Sequence, residues 1–134
     1  MLTMKEAWER PVTKGIKEIK PFDKNIDIRV ILLESRGVFP LKNTSTMTQF
    51  LVADSTASIF CNFYGEDYTH LQPGDILLIS NAYASLYKDN LVLYCSKGGH
   101  AIKIGDFFMT YVDMPNMSLV EWEKNGEQYI IKPN

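Results

Sequence analysis

A chain of 134 residues holds one domain of ordinary size with flanking segments, which excludes a large multidomain enzyme. With 46% hydrophobic and 12% aromatic residues it has the material for a folded core, so a wholly disordered chain is excluded as well. Fourteen basic against sixteen acidic side chains give a net charge of -2, no bulk positive field draws in polyanions, and any nucleic-acid site has to be local.

Residues 1–24 carry six basic and four acidic side chains. Pro11, Gly15 and Pro21 interrupt any long helical period here, so residues 1–18 are expected to form an N-terminal extension, a weak helix or extended arm that packs poorly or waits for a partner. The start Met1-Leu2-Thr3-Met4 lacks the apolar segment of a signal peptide, and no apolar run approaches membrane-spanning length. A reducing intracellular compartment is the expectation, with no membrane association.

The next block reads as strands. Apolar residues from Asp27 to Glu34 predict a first strand with one or both faces covered. The polar stretch Gly37 to Thr46, with Pro40 and Lys42, is the longest connection and a candidate recognition loop. Thr48 to Ala53 predicts a second strand, turned at Asp54-Ser55-Thr56 into a third from Ala57 to Tyr64. On that third strand Ala57, Ile59, Cys61 and Phe63 share one face, and Ser58, Phe60, Asn62 and Tyr64 the other.

Glu66 to Leu71 predicts a short helix, and Gln72-Pro73-Gly74-Asp75 turns into a fourth strand beginning at Ile76. A bend within Asn81 to Lys88 extends it, and Asp89-Asn90 turns into a fifth strand, Leu91 to Cys95. Three strands, a short helix and two more strands predict an all-β fold, a five-stranded Greek-key OB-fold barrel whose helix lies between strands 3 and 4. A small β-sandwich is the competing architecture, because alternation does not determine closure.

Catalysis has little support. His70 and His100 are isolated from any nucleophile, and Cys61 and Cys95 lie in apolar stretches that suit core thiols. Without a CxxC spacing no metal site is expected, and no cofactor either. Lys97-Gly98-Gly99-His100 lacks the length and following Lys-Ser/Thr of a phosphate loop and reads as a turn. The expectation is a non-enzyme.

The tyrosines carry more information. Tyr64, Tyr83, Tyr87 and Tyr94 end or punctuate the third, fourth and fifth strands, and Lys88 and Lys97 sit beside them. Flat rings on a sheet can stack on unpaired bases while nearby ammonium groups meet phosphates. The same rings can equally cover a half-buried sheet or seal a protein interface.

In order and spacing, Ile19-Lys20-Pro21, Val52-Ala53-Asp54, Leu71-Gln72-Pro73-Gly74-Asp75-Ile76, Tyr83-Ala84-Ser85, Leu93-Tyr94, Gly98-Gly99, Lys103-Ile104-Gly105 and Val112-Asp113-Met114-Pro115-Asn116 form one pattern. From about Ile19 to Ser118 it resembles the single-stranded DNA-binding proteins of the SOSS complex, the short OB-fold family of eukaryotic DNA-damage responses. The resemblance implies a nuclear, single-stranded DNA-binding component of a DNA-damage response complex, with an OB-fold domain over 19–110 and a C-terminal partner-binding or packing extension over 111–134. It maps base-stacking rings onto Tyr64, Tyr83, Tyr87 and Tyr94, with Tyr64 standing where the family has Trp. It also implies a large helical scaffold subunit and a small third subunit as partners. The scaffold contact corresponds to Asp106 and Phe107, continued by Met114-Pro115-Asn116.

Departures weaken the electrostatics: Asn81 and Ser55 replace family lysines, Lys97 an arginine, and Ala57 a glycine. Fewer phosphate contacts imply weaker binding and a shallower salt dependence. RNA remains open as a ligand, since stacking does not read the 2′-hydroxyl. The alternative reading is an assembly module with weak or lost nucleic-acid binding.

Overall fold

The structure is a computed structural model that describes residues 2–42 and 44–133. It opens with a helix, α1 (Met4–Glu9), whose Glu6 N–H is capped by the Thr3 hydroxyl at 3.0 Å. A 3-10 turn follows at Ile16–Glu18. Eight strands come next: β1 (Ile26–Pro40), β2 (Thr46–Ala53), β3 (Ser58–Tyr64), β4 (Asp75–Tyr87), β5 (Asn90–Cys95), β6 (His100–Asp106), β7 (Trp122–Asn125) and β8 (Gln128–Ile131). The first six form one sheet in the order β1-β2-β3-β5-β4-β6, with β1 also pairing β4, and β7 with β8 forms a separate hairpin. Only β3 and β5 run parallel among these pairs.

The expected five-stranded OB-fold barrel does not form. Pairings pass from β1 through β2, β3, β5 and β4 back to β1, but this ring is not a barrel. Strand β4 divides its length, meeting β1 over 76–82 and β5 over 83–87, and a sixth strand, β6, takes its other edge over 75–80. The fold is a mixed, mainly β domain. The helix expected between the third and fourth strands is a three-residue 3-10 turn, Glu66–Tyr68. Its bonds all close after three residues, Tyr68 N–H to Gly65 O, Thr69 to Glu66 and Leu71 to Tyr68, and Pro73 follows at once. Without the barrel and its capping helix, the fold is not that of an OB-type DNA-binding protein.

Half of the expected recognition loop, 37–40 and 46, is strand. β1 runs on to Pro40 and is bulged twice, between Leu32 and Glu34 and between Ser35 and Gly37, so residues 37–40 pair with β2. Gly37 takes φ +119, which only glycine adopts readily. Residue 43 of that stretch lies outside the described residues.

Strand β4 shows why its sequence reads as a continuous apolar run. Leu77 and Ile79 face a main core built around Ile28, Val30, Leu32, Phe50, Ile59, Phe63, Leu91 and Leu93. Ile76 and Leu78 face the opposite way, into a second cluster with Ile31, Ala53, Ile104 and Ala7 of α1. Both faces are covered, so no polar alternation survives. At about 1.5–3 kcal/mol for each fully buried large aliphatic side chain, these clusters dominate stability.

The N-terminal extension therefore packs, unlike the loose arm expected. Trp8 Nε1–H donates to Ile104 O at 3.1 Å, Arg29 donates to the carbonyls of Ala7 and Arg10, and Ile16 is fully buried in the main core. Asp54, buried at the β2–β3 turn, accepts from the N–H groups of Ile16 (2.9 Å), Thr56 (2.8 Å) and Ala57 (3.2 Å) and from the Thr56 hydroxyl. The C-terminal segment lies along β3, where Ser58 N–H donates to Pro115 O at 2.9 Å, and Met117 and Trp122 enter the main core.

Candidate nucleic-acid interface

Alternation along three neighbouring strands builds one outer face. Leu91, Leu93 and Cys95 of β5 point into the core and leave Val92 and Tyr94 outward. On β4, Ala82 and Ala84 are buried while Tyr83 and Tyr87 are exposed, and on β3, Ile59, Cys61 and Phe63 are buried beside half-buried Phe60 and Tyr64. Since the strand order is β3-β5-β4, Tyr64, Tyr94 and Tyr83 fall in a row.

Their rings are stacked. Tyr83 and Tyr94, directly paired across β4 and β5, have centroids 5.2 Å apart and planes 10° from parallel. Tyr64 lies diagonally across from Tyr94, at 6.3 Å and 17°. Tyr94 thus has a ring on each side, and its hydroxyl is pushed above the ordinary tyrosine value by burial, with the neighbouring tyrosines adding to it. Burial likewise raises Tyr64, partly offset by a hydrogen bond with Asn62. The outer face of Tyr83, 38% exposed, is the open end of the row.

That end opens onto a cleft of about 330 Å³ lined by Lys24, Asn25, Asn81, Ala82, Tyr83 and Lys97. Local backbone chemistry sets it. Asn81 takes φ +55 where β4 bends, its N–H donating to Asp27 Oδ1 (2.8 Å) and its Nδ2 to Gly98 O (2.9 Å). Gly99 allows the turn to approach, because a Cβ there would sit 2.8 Å from Asn81 O. Lys97 is thereby brought beside Tyr83, and Gly98-Gly99 is a turn, not a phosphate loop. Among the described residues neither Lys24 nor Lys97 is in an ion pair.

Of the six residues read as nucleic-acid contacts, Tyr64, Tyr83, Tyr94 and Lys97 come together. Tyr87, 55% exposed, lies further along the same edge of β4, with Lys88 Nζ 5.4 Å from its ring centroid. Lys88 and Asp89 both have positive φ in a two-residue turn at the opposite end of the β4–β5 pair from Tyr83. Lys24 gives no signal in the sequence because it lies outside the strand pattern. Phe60 is within reach of sequence reasoning, by extending the alternation from Tyr64.

The residues read as a partner contact lie elsewhere. Asp106 pairs with Asp75 at the start of β4, eight residues and roughly 25 Å of strand from Tyr83. Phe107 (72% exposed, φ +59) donates its N–H to Gly74 O at 2.9 Å, and Phe108 is 89% exposed. The Phe107 ring lies over Gly74, where a Cβ would come within 2.2 Å of it. Pro115 and Asn116 are tied into the fold instead: Pro115 O accepts from Ser58, and Asn116 Oδ1 accepts from Ser118 N–H at 2.9 Å.

Cys61 and Cys95 are buried free thiols, Cys61 pushed up by burial and by Cys95, and Cys95 up to about 11 by burial. Among the described residues no three His, Cys, Asp or Glu side chains gather as a metal site, and no helix is long and apolar enough to cross a membrane.

No family model matches the chain. It is similar to the solution structure of hypothetical protein F20O9.120 from Arabidopsis thaliana, with a TM-score of 0.71 and 22% identity over 87% of this chain and 89% of that one. At that identity the likeness is one of fold.

Proposed function

We propose that the outer face of β3, β5 and β4 binds single-stranded nucleic acid, a base stacking on the open face of Tyr83 while Lys24 and Lys97 meet the adjoining phosphates. The observation that carries this reading is the aligned row Tyr64-Tyr94-Tyr83 ending at a cleft with two lysines that are in no ion pair among the described residues. Base–aromatic stacking contributes about 1–3 kcal/mol per base and tolerates any sequence. A local pair of cations meets phosphate without a positive protein overall. The resemblance to the SOSS single-stranded DNA-binding proteins makes DNA the first ligand to test.

A second reading is supported by Phe107 and Phe108, an exposed apolar pair at the far end of β4 that suits a protein partner such as a helical scaffold. The two readings separate by mapping. Titrating labelled protein with an unstructured oligodeoxythymidylate and following backbone amide resonances should move signals of Asn81, Tyr83, Tyr94 and Lys97. Absence of any shift there, together with binding of a partner at Phe107, would favour the assembly reading.

A further inference from the structure

The second bulge of β1 delivers a cation to the tyrosine face. The register with β2 slips between Ser35 and Gly37, so Arg36 is the extra residue, and bulges re-aim side chains in this way. Gly37 is needed for it: its φ is +119, and a Cβ would meet the Phe39 ring at 3.2 Å. Arg36 reaches across β2 and lies over the ring of Phe60 on β3, with its guanidinium carbon 4.3 Å from the ring centroid. Phe60 shares its face with Asn62 and Tyr64 and has Leu51 and Val92 as cross-strand neighbours.

Arg36 has one ion-pair partner among the described residues, Glu34 at 3.9 Å, and both groups are well exposed. Such a pair contributes little, so the guanidinium stays available. Between Phe60 and the tyrosine row sits Asn62, whose Oδ1 accepts from Gln49 Nε2 at 2.7 Å. Ring and guanidinium thus lie on the same face of the sheet as the tyrosine row, with the buried Asn62 side chain between them. Arginine planes and aromatic rings both take unpaired bases, and the guanidinium edge donates to phosphate.

The geometry points to Arg36 and Phe60 as a second nucleotide subsite, taking one base on the guanidinium-ring pair and its phosphate on the guanidinium N–H groups. This rests on reading the tyrosine face as a single-strand site. Phe60 lies four residues from Tyr64, roughly 13 Å along β3, so a strand engaging both places must be longer than one confined to the tyrosines.

The test compares oligodeoxythymidylates of about three and about twelve nucleotides, within and beyond the reach of the tyrosine row. Arg36→Gln and Phe60→Leu should each weaken the longer oligonucleotide about tenfold and leave the shorter unchanged. Arg36 is on the surface, so Arg36→Gln spares the core, and its thermal transition should match the parent's. If folded variants bind both lengths like the parent while Tyr83→Ala weakens both, the subsite is wrong and the single-strand reading stands. Failure of the parent to bind either oligonucleotide overturns both.

Discussion

The ring of Tyr94 is stacked on that of Tyr83 across the β4–β5 pair, 5.2 Å between centroids and 10° from parallel. Tyr64 is stacked near its other side. On the proposed reading Tyr94 is a support, and a base would stack on the outer face of Tyr83. Pairs of this kind add about 0.5–1.5 kcal/mol beyond their burial. Tyr94→Ala should then weaken single-strand binding through Tyr83, and the double variant Tyr83→Ala/Tyr94→Ala should lose less than the sum of the singles. Additive losses in a double-mutant cycle would show that the two rings bind independently.

Alkaline titration gives a second check. Burial raises the hydroxyls of Tyr64, Tyr68 and Tyr94, so the folded chain holds these protons more tightly than the unfolded one. The stability they contribute is present below the unfolded tyrosine value near 10 and is lost as pH rises through the folded values. Phenolate absorbance should rise in two stages, the later one coinciding with loss of the folded circular-dichroism signal. One stage, complete before any unfolding, would contradict the packing of these three rings.

Asp54 ties residue 16 to the β2–β3 turn through three backbone N–H groups and a hydroxyl. Removing the carboxylate strands two buried donors, the N–H groups of Ile16 and Ala57, each costing about 1–3 kcal/mol when unsatisfied. Asp54→Ala should lower stability by about 3 kcal/mol or more in urea denaturation, and Asp54→Asn by less, because its side-chain oxygen still accepts. Equal, small losses in both would mean that the N-terminal segment is held by Ile16 and α1 alone.

How far the sequence carries is visible at individual residues. Two-residue alternation identifies one face of each strand, Ile59, Cys61 and Phe63 on β3 and Leu91, Leu93 and Cys95 on β5, which the main core takes, although Asn62 and Val92 on the other face are buried too. It places Tyr64, Tyr83 and Tyr94 on strands but says nothing of their stacking, which depends on the parallel pairing of Asn62 with Tyr94. Strand β6 escapes a reading by pattern because its alternation is confined to Ile102-Lys103-Ile104, between His100 and Gly105-Asp106, and only Ile104 is buried. The extension of β1 to Pro40 is hidden by its bulges, which break the two-residue period that marks a strand. Closure into a barrel is a property of how β4 divides its edges between β1, β5 and β6, and no local pattern encodes that.

The most direct test of the central claim is fluorescence anisotropy with matched single-stranded and duplex oligonucleotides, measured at low and moderate salt on the parent and on Tyr83→Ala. Tighter binding to the single strand, a modest salt dependence set by Lys24 and Lys97, and a loss of about 1–3 kcal/mol in the folded Tyr83→Ala chain are expected. Equal binding to both forms, or an unchanged affinity in Tyr83→Ala, would contradict the claim.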